Sequence, residues 1–244
     1  MDKVGRRRRI PNPLKRRDGS RRRWLQRLLI GAAATLVLGP LVLILPLRWL
    51  DPPTTAMILS RTYDRWEEGR SAAYPERRTT PLPQLGALVP RAVLAAEDDA
   101  FYLHHGFDLN QLEKVVRGEP GRKRARGAST ISQQTAKNLF LWNGRSWLRK
   151  GLEAYLTVWL ELLLPKDRIL EIYLGLVECG DGYFGIDACA RHHFGRPAAQ
   201  LDEDQAARLA AILPSPLKLS PASDYAAEQA EVIESRMQVP VAKP

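Results

Sequence analysis

The chain has 244 residues, 45% of them hydrophobic and 26% charged. That composition excludes wholesale disorder and a collagen-like repeat, and it allows one sizeable core. The formal net charge is +10, but residues 1–27 alone hold twelve basic residues against two acids, Asp2 and Asp18, and the rest of the chain is balanced. The charge belongs to a solvated tail rather than to a basic domain, which weakens a nucleic-acid reading.

An apolar run follows the tail. Leu28 to Leu47 carries no charged residue. As a helix it spans about 30 Å, the hydrocarbon thickness of a bilayer. Gly39-Pro40 would kink a soluble helix but is tolerated in a membrane one. The alternatives are a buried core helix, which the length and flanks disfavour, and a cleaved signal peptide, which lacks a convincing small-x-small cleavage site. Positive charge before the span predicts a cytoplasmic N-terminus, with everything after residue 50 across the membrane. The expected organisation is a basic cytoplasmic tail (1–27), a transmembrane anchor (28–50), a Pro-, Thr- and Arg-rich membrane-proximal neck (51–85), a globular part (86–237) and a frayed C-terminus (238–244). Within the neck, Ala56 to Trp66 predicts a short amphipathic helix close to the bilayer.

The globular part reads as helical. Pro90 suits a first turn, with Arg91 to Asp98 following. Asp108 can cap a helix to Arg117. Glu119 to Gly127 reads as a mobile loop rich in Gly, Lys and Arg. Ser129 or Thr130 caps a helix through Leu139, and Ser146 caps a long one ending at Leu164 before Pro165. Lys166 to Val177 predicts another, then a Gly-rich connection at Gly180, Gly182 and Gly185, then helices over 202–213 and 221–237. Cys179 and Cys189 stand ten residues apart. That spacing does not establish a disulfide, and the favoured reading is two small buried hydrophobes. His104-His105 and His192-His193 are adjacent pairs, which is not metal-ligand spacing on a helix.

Three segments carry candidate chemistry. Glu97 and Asp98 close an apolar helix, and a carboxylate at the edge of an apolar face has a raised pKa, which suits acid–base work. The alternative is a solvated helix end. Gly127 to Asn138 is a helix start crowded with Ser129, Thr130, Gln134 and Asn138, with Lys137 two turns in. This is a phosphate-site geometry without P-loop glycine spacing, and a simple polar capped helix is equally consistent. Arg145, Arg149 and Lys150 precede Glu153. They form either an i,i+4 surface pair or a cationic cluster beside a second acid.

Taken together, these segments resemble the glycosyltransferase family that polymerises peptidoglycan, in particular its monofunctional biosynthetic transglycosylases. The resemblance covers about residues 80–220. E-D-x-x-F-x-x-H-x-G matches Glu97, Asp98, Phe101, His104 and Gly106. G-x-S-T-I-x-Q-Q-x-x-K-N matches Gly127, Ser129, Thr130, Ile131, Gln133, Gln134, Lys137 and Asn138. R-K-x-x-E matches Arg149, Lys150 and Glu153, and K-x-x-I-L-E-x-Y-L-N matches Lys166, Ile169, Leu170, Glu171, Tyr173 and Leu174. Gly175 departs from the last motif, standing where Asn is usual.

The resemblance implies a mostly α, lysozyme-like helical glycosyltransferase domain behind one N-terminal transmembrane helix. It implies transfer of the growing chain from its undecaprenyl pyrophosphate carrier to the 4-hydroxyl of lipid II, with inversion to a β-1,4 linkage. Glu97 would be the general base and Glu153 the second carboxylate, orienting cations, assisting the leaving group or holding an ion. Asp98, Phe101 and His104 would position Glu97 or the acceptor. Ser129, Thr130, Gln134 and Asn138 would line the cleft, and Lys137, Arg145, Arg149 and Lys150 would receive the diphosphate. No cofactor is required, with Mg or Mn as a stimulating divalent cation. The partners are the lipid-linked substrates, the membrane and other cell-wall synthesis and division proteins, with no nucleic acid. A hydrophobic approach through Met57, Ile58, Leu59 and Trp66 is expected. The rival readings are a membrane-anchored muramidase-type hydrolase and a non-catalytic cell-wall scaffold. Ser215-Pro216-Leu217-Lys218 matches S-x-x-K, but no S-x-N or K-T-G follows, so no transpeptidase activity is expected.

Overall fold

The computed structural model describes residues 14–70, 76–117, 129–144 and 146–241. The loop expected over Glu119 to Gly127 lies outside them. The chain divides into two units, residues 1–43 and 44–244. The described part of the first is one helix, α1 (Leu14–Ile44, its last residue belonging to the second unit). The stretch Arg21–Arg48 is long and apolar enough to cross a membrane. Leu29, Ile30 and Val42 stand exposed on it, the opposite of a soluble core helix.

The second unit is mostly helical: α2 (Ala56–Glu67), α3 (Leu88–Glu97), α4 (Leu109–Arg117), α5 (Ile131–Phe140), α6 (Trp147–Leu163), α7 (Lys166–Leu176), α8 (Ile186–Phe194), α9 (Glu203–Ile212) and α10 (Asp224–Met237). The helix starts follow local chemistry. Thr130 and Gln133 form a reciprocal capping box on α5, as do Asp202 and Gln205 on α9. Asp108 Oδ1 accepts from the Gln111 N–H at 2.9 Å, and Ser146 and Ser223 cap α6 and α10. Pro165 ends α6 and opens α7.

A small sheet of β1 (Glu76–Arg77), β2 (Glu178–Gly180) and β3 (Tyr183–Phe184) has the order β1-β3-β2. β1 pairs parallel with β3, and β2 antiparallel. The sheet fastens the segment read as a neck. Arg61 Nε meets Glu178 Oε2 at 2.9 Å and Arg65 reaches Asp181 at 3.1 Å. Ile58 is fully buried there, which corrects its place in the expected hydrophobic approach. Leu59 and Trp66 remain exposed, with Met57 between the two extremes. The split follows helical periodicity, because Ile58 falls on the face that α2 turns inward.

The core gathers Val93, Ile131, Leu170, Tyr173, Leu209 and their neighbours. α10 lies on α9 and α3, and α5 lies on α6 and α7. Cys179 and Cys189 are buried but are joined as a disulfide, which corrects the reading as two free hydrophobes. The β2–β3 hairpin turns α8 back so that the two Cα atoms come within 5.7 Å, inside bridging range. Gly175 has a packing reason: a Cβ there would sit 3.3 Å from Thr79 Cγ2, so the threonine occupies the space a side chain would take.

Candidate active site

The site is built where α3 ends against α5. Glu97 is the last residue of α3, and Gln134, one turn into α5, donates from Nε2 to Glu97 Oε2 at 2.8 Å. The Gln134 amide is itself oriented, because the buried Tyr173 hydroxyl donates to its Oε1 at 3.2 Å. Burial pushes the Glu97 carboxyl above its ordinary value. The Gln134 hydrogen bond and the Lys137 charge oppose that rise, and the Asp98 charge adds to it. Tyr173 was legible as a motif residue but not as a site residue. Its role depends on α7 packing against α5, which sequence spacing does not encode.

Asp98 turns the other way. Its Oδ2 accepts from the Ile131 N–H at 2.9 Å, a carboxylate set on one of the free donors of the α5 N-terminus. His104 Nε2 lies 2.9 and 3.1 Å from the two Asp98 oxygens. Because the Gly106 N–H donates to His104 Nδ1 at 3.1 Å, the proton of a neutral ring belongs on Nε2, where it donates to Asp98. Thr130 Oγ1 donates to Gly106 O at 2.7 Å. Phe101 is fully buried, edge-on to His104. Gly106 is required at its position. Its φ is +87, and a Cβ would fall 2.8 Å from Thr157 Cγ2.

The cations gather around Glu153. Glu153, 3% exposed on α6, takes Arg149 Nη1 on Oε2 at 2.7 Å and Lys150 Nζ on Oε1. Arg149 Nε also donates to Gly144 O at 2.7 Å, and Lys150 Nζ donates to Ser129 Oγ at 3.3 Å. Lys137 has no ion pair among the described residues. Burial lowers its pKa, Glu153 and Glu97 raise it, and Arg149 and Lys150 lower it further. Lys137 therefore feels both acids, and α5 brings the two groups of residues into one neighbourhood. Asn138 is buried, and its Oδ1 has no hydrogen-bond partner among the described residues. Arg145 lies outside the described residues.

Glu153 is fully engaged by its neighbours. Both of its oxygens are already engaged by cations, and the described residues form no cluster of three or more His, Cys, Asp or Glu.

A family model for transglycosylases matches residues 67–239. A biosynthetic peptidoglycan transglycosylase of Xanthomonas axonopodis pv. citri is 47% identical over 195 residues, covering 80% of this chain and 79% of its own length. One from Pseudomonas entomophila is 44% identical over 217 residues, 88% of this chain and 90% of the relative. One from Caulobacter vibrioides is 45% identical over 197 residues, 81% and 83% respectively. The chain belongs to the biosynthetic peptidoglycan transglycosylase family.

Proposed function

We propose that the enzyme polymerises glycan strands by moving the growing chain from its undecaprenyl pyrophosphate carrier to the 4-hydroxyl of lipid II. The observation that carries this reading is the pairing of two unlike environments around α5. On one side, a carboxyl held by Gln134 is pushed up by burial. On the other, Lys137, Arg149 and Lys150 surround the buried Glu153.

Glu97, ionised, takes the proton of the acceptor 4-hydroxyl as that oxygen attacks the donor anomeric carbon. The bond to the diphosphate breaks in the same displacement. Configuration inverts from α to β, and no covalent enzyme intermediate is needed. Negative charge grows on the departing diphosphate, and fixed cations placed there beforehand lower the barrier. Arg149 offers a forked donor and the lysines compact charges. Glu153 orients Arg149 and Lys150, which take up both of its oxygens. Stimulation by Mg or Mn would then act on the substrate's diphosphate. Asp98, Phe101 and His104 hold the acid–base end in place.

The apolar N-terminal helix supports work at a membrane surface, where both lipid-linked substrates reside. Positive charge before it favours a cytoplasmic N-terminus and a periplasmic catalytic unit in a single-pass inner-membrane protein, within reach of other cell-wall synthesis and division proteins. The test is a lipid II polymerisation assay with the wild type and Glu97→Gln, run beside a digest of purified cell wall. Polymer from the wild type alone is expected. Solubilised wall fragments without polymer would identify a hydrolase instead.

A further inference from the structure

α6 turns three residues toward α5 at i, i+4 and i+8: Glu153, Thr157 and Glu161. The first meets the cations and the second packs against Gly106, but the mechanism above makes no use of the third. We propose that Glu161 and Lys166 are positioning residues that clamp the 98–106 loop, and through it the acid–base end of the site. The proposal deepens the glycosyltransferase reading and rests on it.

Four contacts carry it. Glu161 Oε1 accepts from Lys166 Nζ at 2.7 Å and from the Ser132 hydroxyl on α5. The two charged side chains are 8% and 17% exposed, so the pair is largely out of water. Lys166 Nζ stands 4.3 Å from the centroid of the Phe101 ring, a cation over an aromatic face in a dry setting. The Glu161 stem closes the other end of the same loop, since a Cβ built on Gly106 would be 3.1 Å from its Cγ. Phe101 in turn lies edge-on to His104, and His104 binds Asp98, the neighbour of Glu97.

A buried ion pair is poor value as stability alone, because desolvation offsets most of its attraction. It is useful where one geometry must be singled out. Here Glu161 fixes the Lys166 ammonium, and Lys166 fixes the Phe101 ring. Neither touches the reacting atoms. Both act through the loop that begins directly after the catalytic carboxylate.

The test uses the full chain in detergent or nanodiscs and compares Lys166→Met, Glu161→Gln and Lys166→Arg with the wild type. Two readings are taken: hydrogen–deuterium exchange in the 98–106 segment, and kcat and KM for lipid II. Lys166→Met and Glu161→Gln are expected to speed exchange in that segment and lower kcat about tenfold, as loss of catalytic alignment does. KM should stay within about twofold, because substrate binding is not the interaction removed. Lys166→Arg should recover both readings, since a guanidinium also stacks on an aromatic face. Unchanged exchange, or activity that falls only with the folded fraction, would overturn the clamp. Should Lys166→Met fail to fold, Glu161→Gln decides alone. A wild type that makes no polymer would count against the functional reading, while the exchange measurement would still decide whether the loop is held this way.

Discussion

Asp98→Asn tests the geometry most directly. The wild-type carboxylate accepts from the Ile131 N–H at 2.9 Å and from His104 Nε2 at 2.9 and 3.1 Å. Asparagine offers one oxygen and one NH2: an oxygen at the Oδ2 position still accepts from Ile131 N–H and reaches His104 Nε2 at 3.1 Å, but the NH2 then stands 2.9 Å from the same Nε2–H. His104 cannot give way by changing tautomer, because its Nδ1 already accepts from the Gly106 N–H at 3.1 Å. The substitution therefore removes the negative charge that both donors meet and sets an NH2 against the His104 Nε2–H. The two effects overlap and together cost about 2–4 kcal/mol. At roughly 2–4 °C per kcal/mol for a chain of this size, Tm should fall by about 5–15 °C. Thermal unfolding of the full chain in detergent, followed by circular dichroism, reads the shift, and polymerisation of lipid II should fall with it at temperatures where the variant is folded. A Tm within about 2 °C of wild type would refute the argument from tautomer and cap, since single substitutions away from such features usually stay that close.

Four further outcomes follow from the structure. Glu97→Gln should lower turnover by about 10²–10⁴-fold, the usual contribution of a general base, yet raise Tm at neutral pH. Its folded pKa lies above the ordinary 4.5, so the ionised group opposes folding as pH rises through that raised value, and the gain should vanish below 4.5, measured by Tm against pH. In the wild type, initial rates should climb as pH passes through the raised Glu97 pKa, because only the ionised carboxylate can take the acceptor's proton. Gly106→Ala should lose about 1–3 kcal/mol in urea unfolding, since its φ is +87 and the added Cβ would meet Thr157 Cγ2 at 2.8 Å. Replacing both Cys179 and Cys189 with serine should cost about 2–3 kcal/mol, the chain-entropy value for so short a loop, and reduction of the wild type should give a matching shift in unfolding midpoint.

Much of the helical scaffold was readable locally. Thr130 with Gln133, Asp108, Ser146 and Pro165 announce helix ends through contacts within a few residues, and the structure uses each of them. Glu97 could be raised as a candidate because Val93, Leu94 and Ala96 make its helix face apolar, but its choice over a solvated helix end came from the family motif. Departures arose where distant segments decide. Ile58 looked like part of an exposed apolar approach but is covered by packing in its own unit. The two cysteines were separated by spacing that settles nothing, and the hairpin brings them together.

The amino-acid sequence by itself determined the apolar N-terminal span, most helix starts of the globular part and the motif residues, because periodicity, capping and residue type act over a turn or two of chain. Only the tertiary structure decided which partners those residues have: Tyr173 setting the Gln134 amide, Glu161 and Lys166 gripping the loop around Phe101, and Glu153 with both oxygens taken by cations. The physical reason is that hydrogen bonds and desolvation depend on what packs alongside, and α5, α6 and α7 meet only once the core has formed.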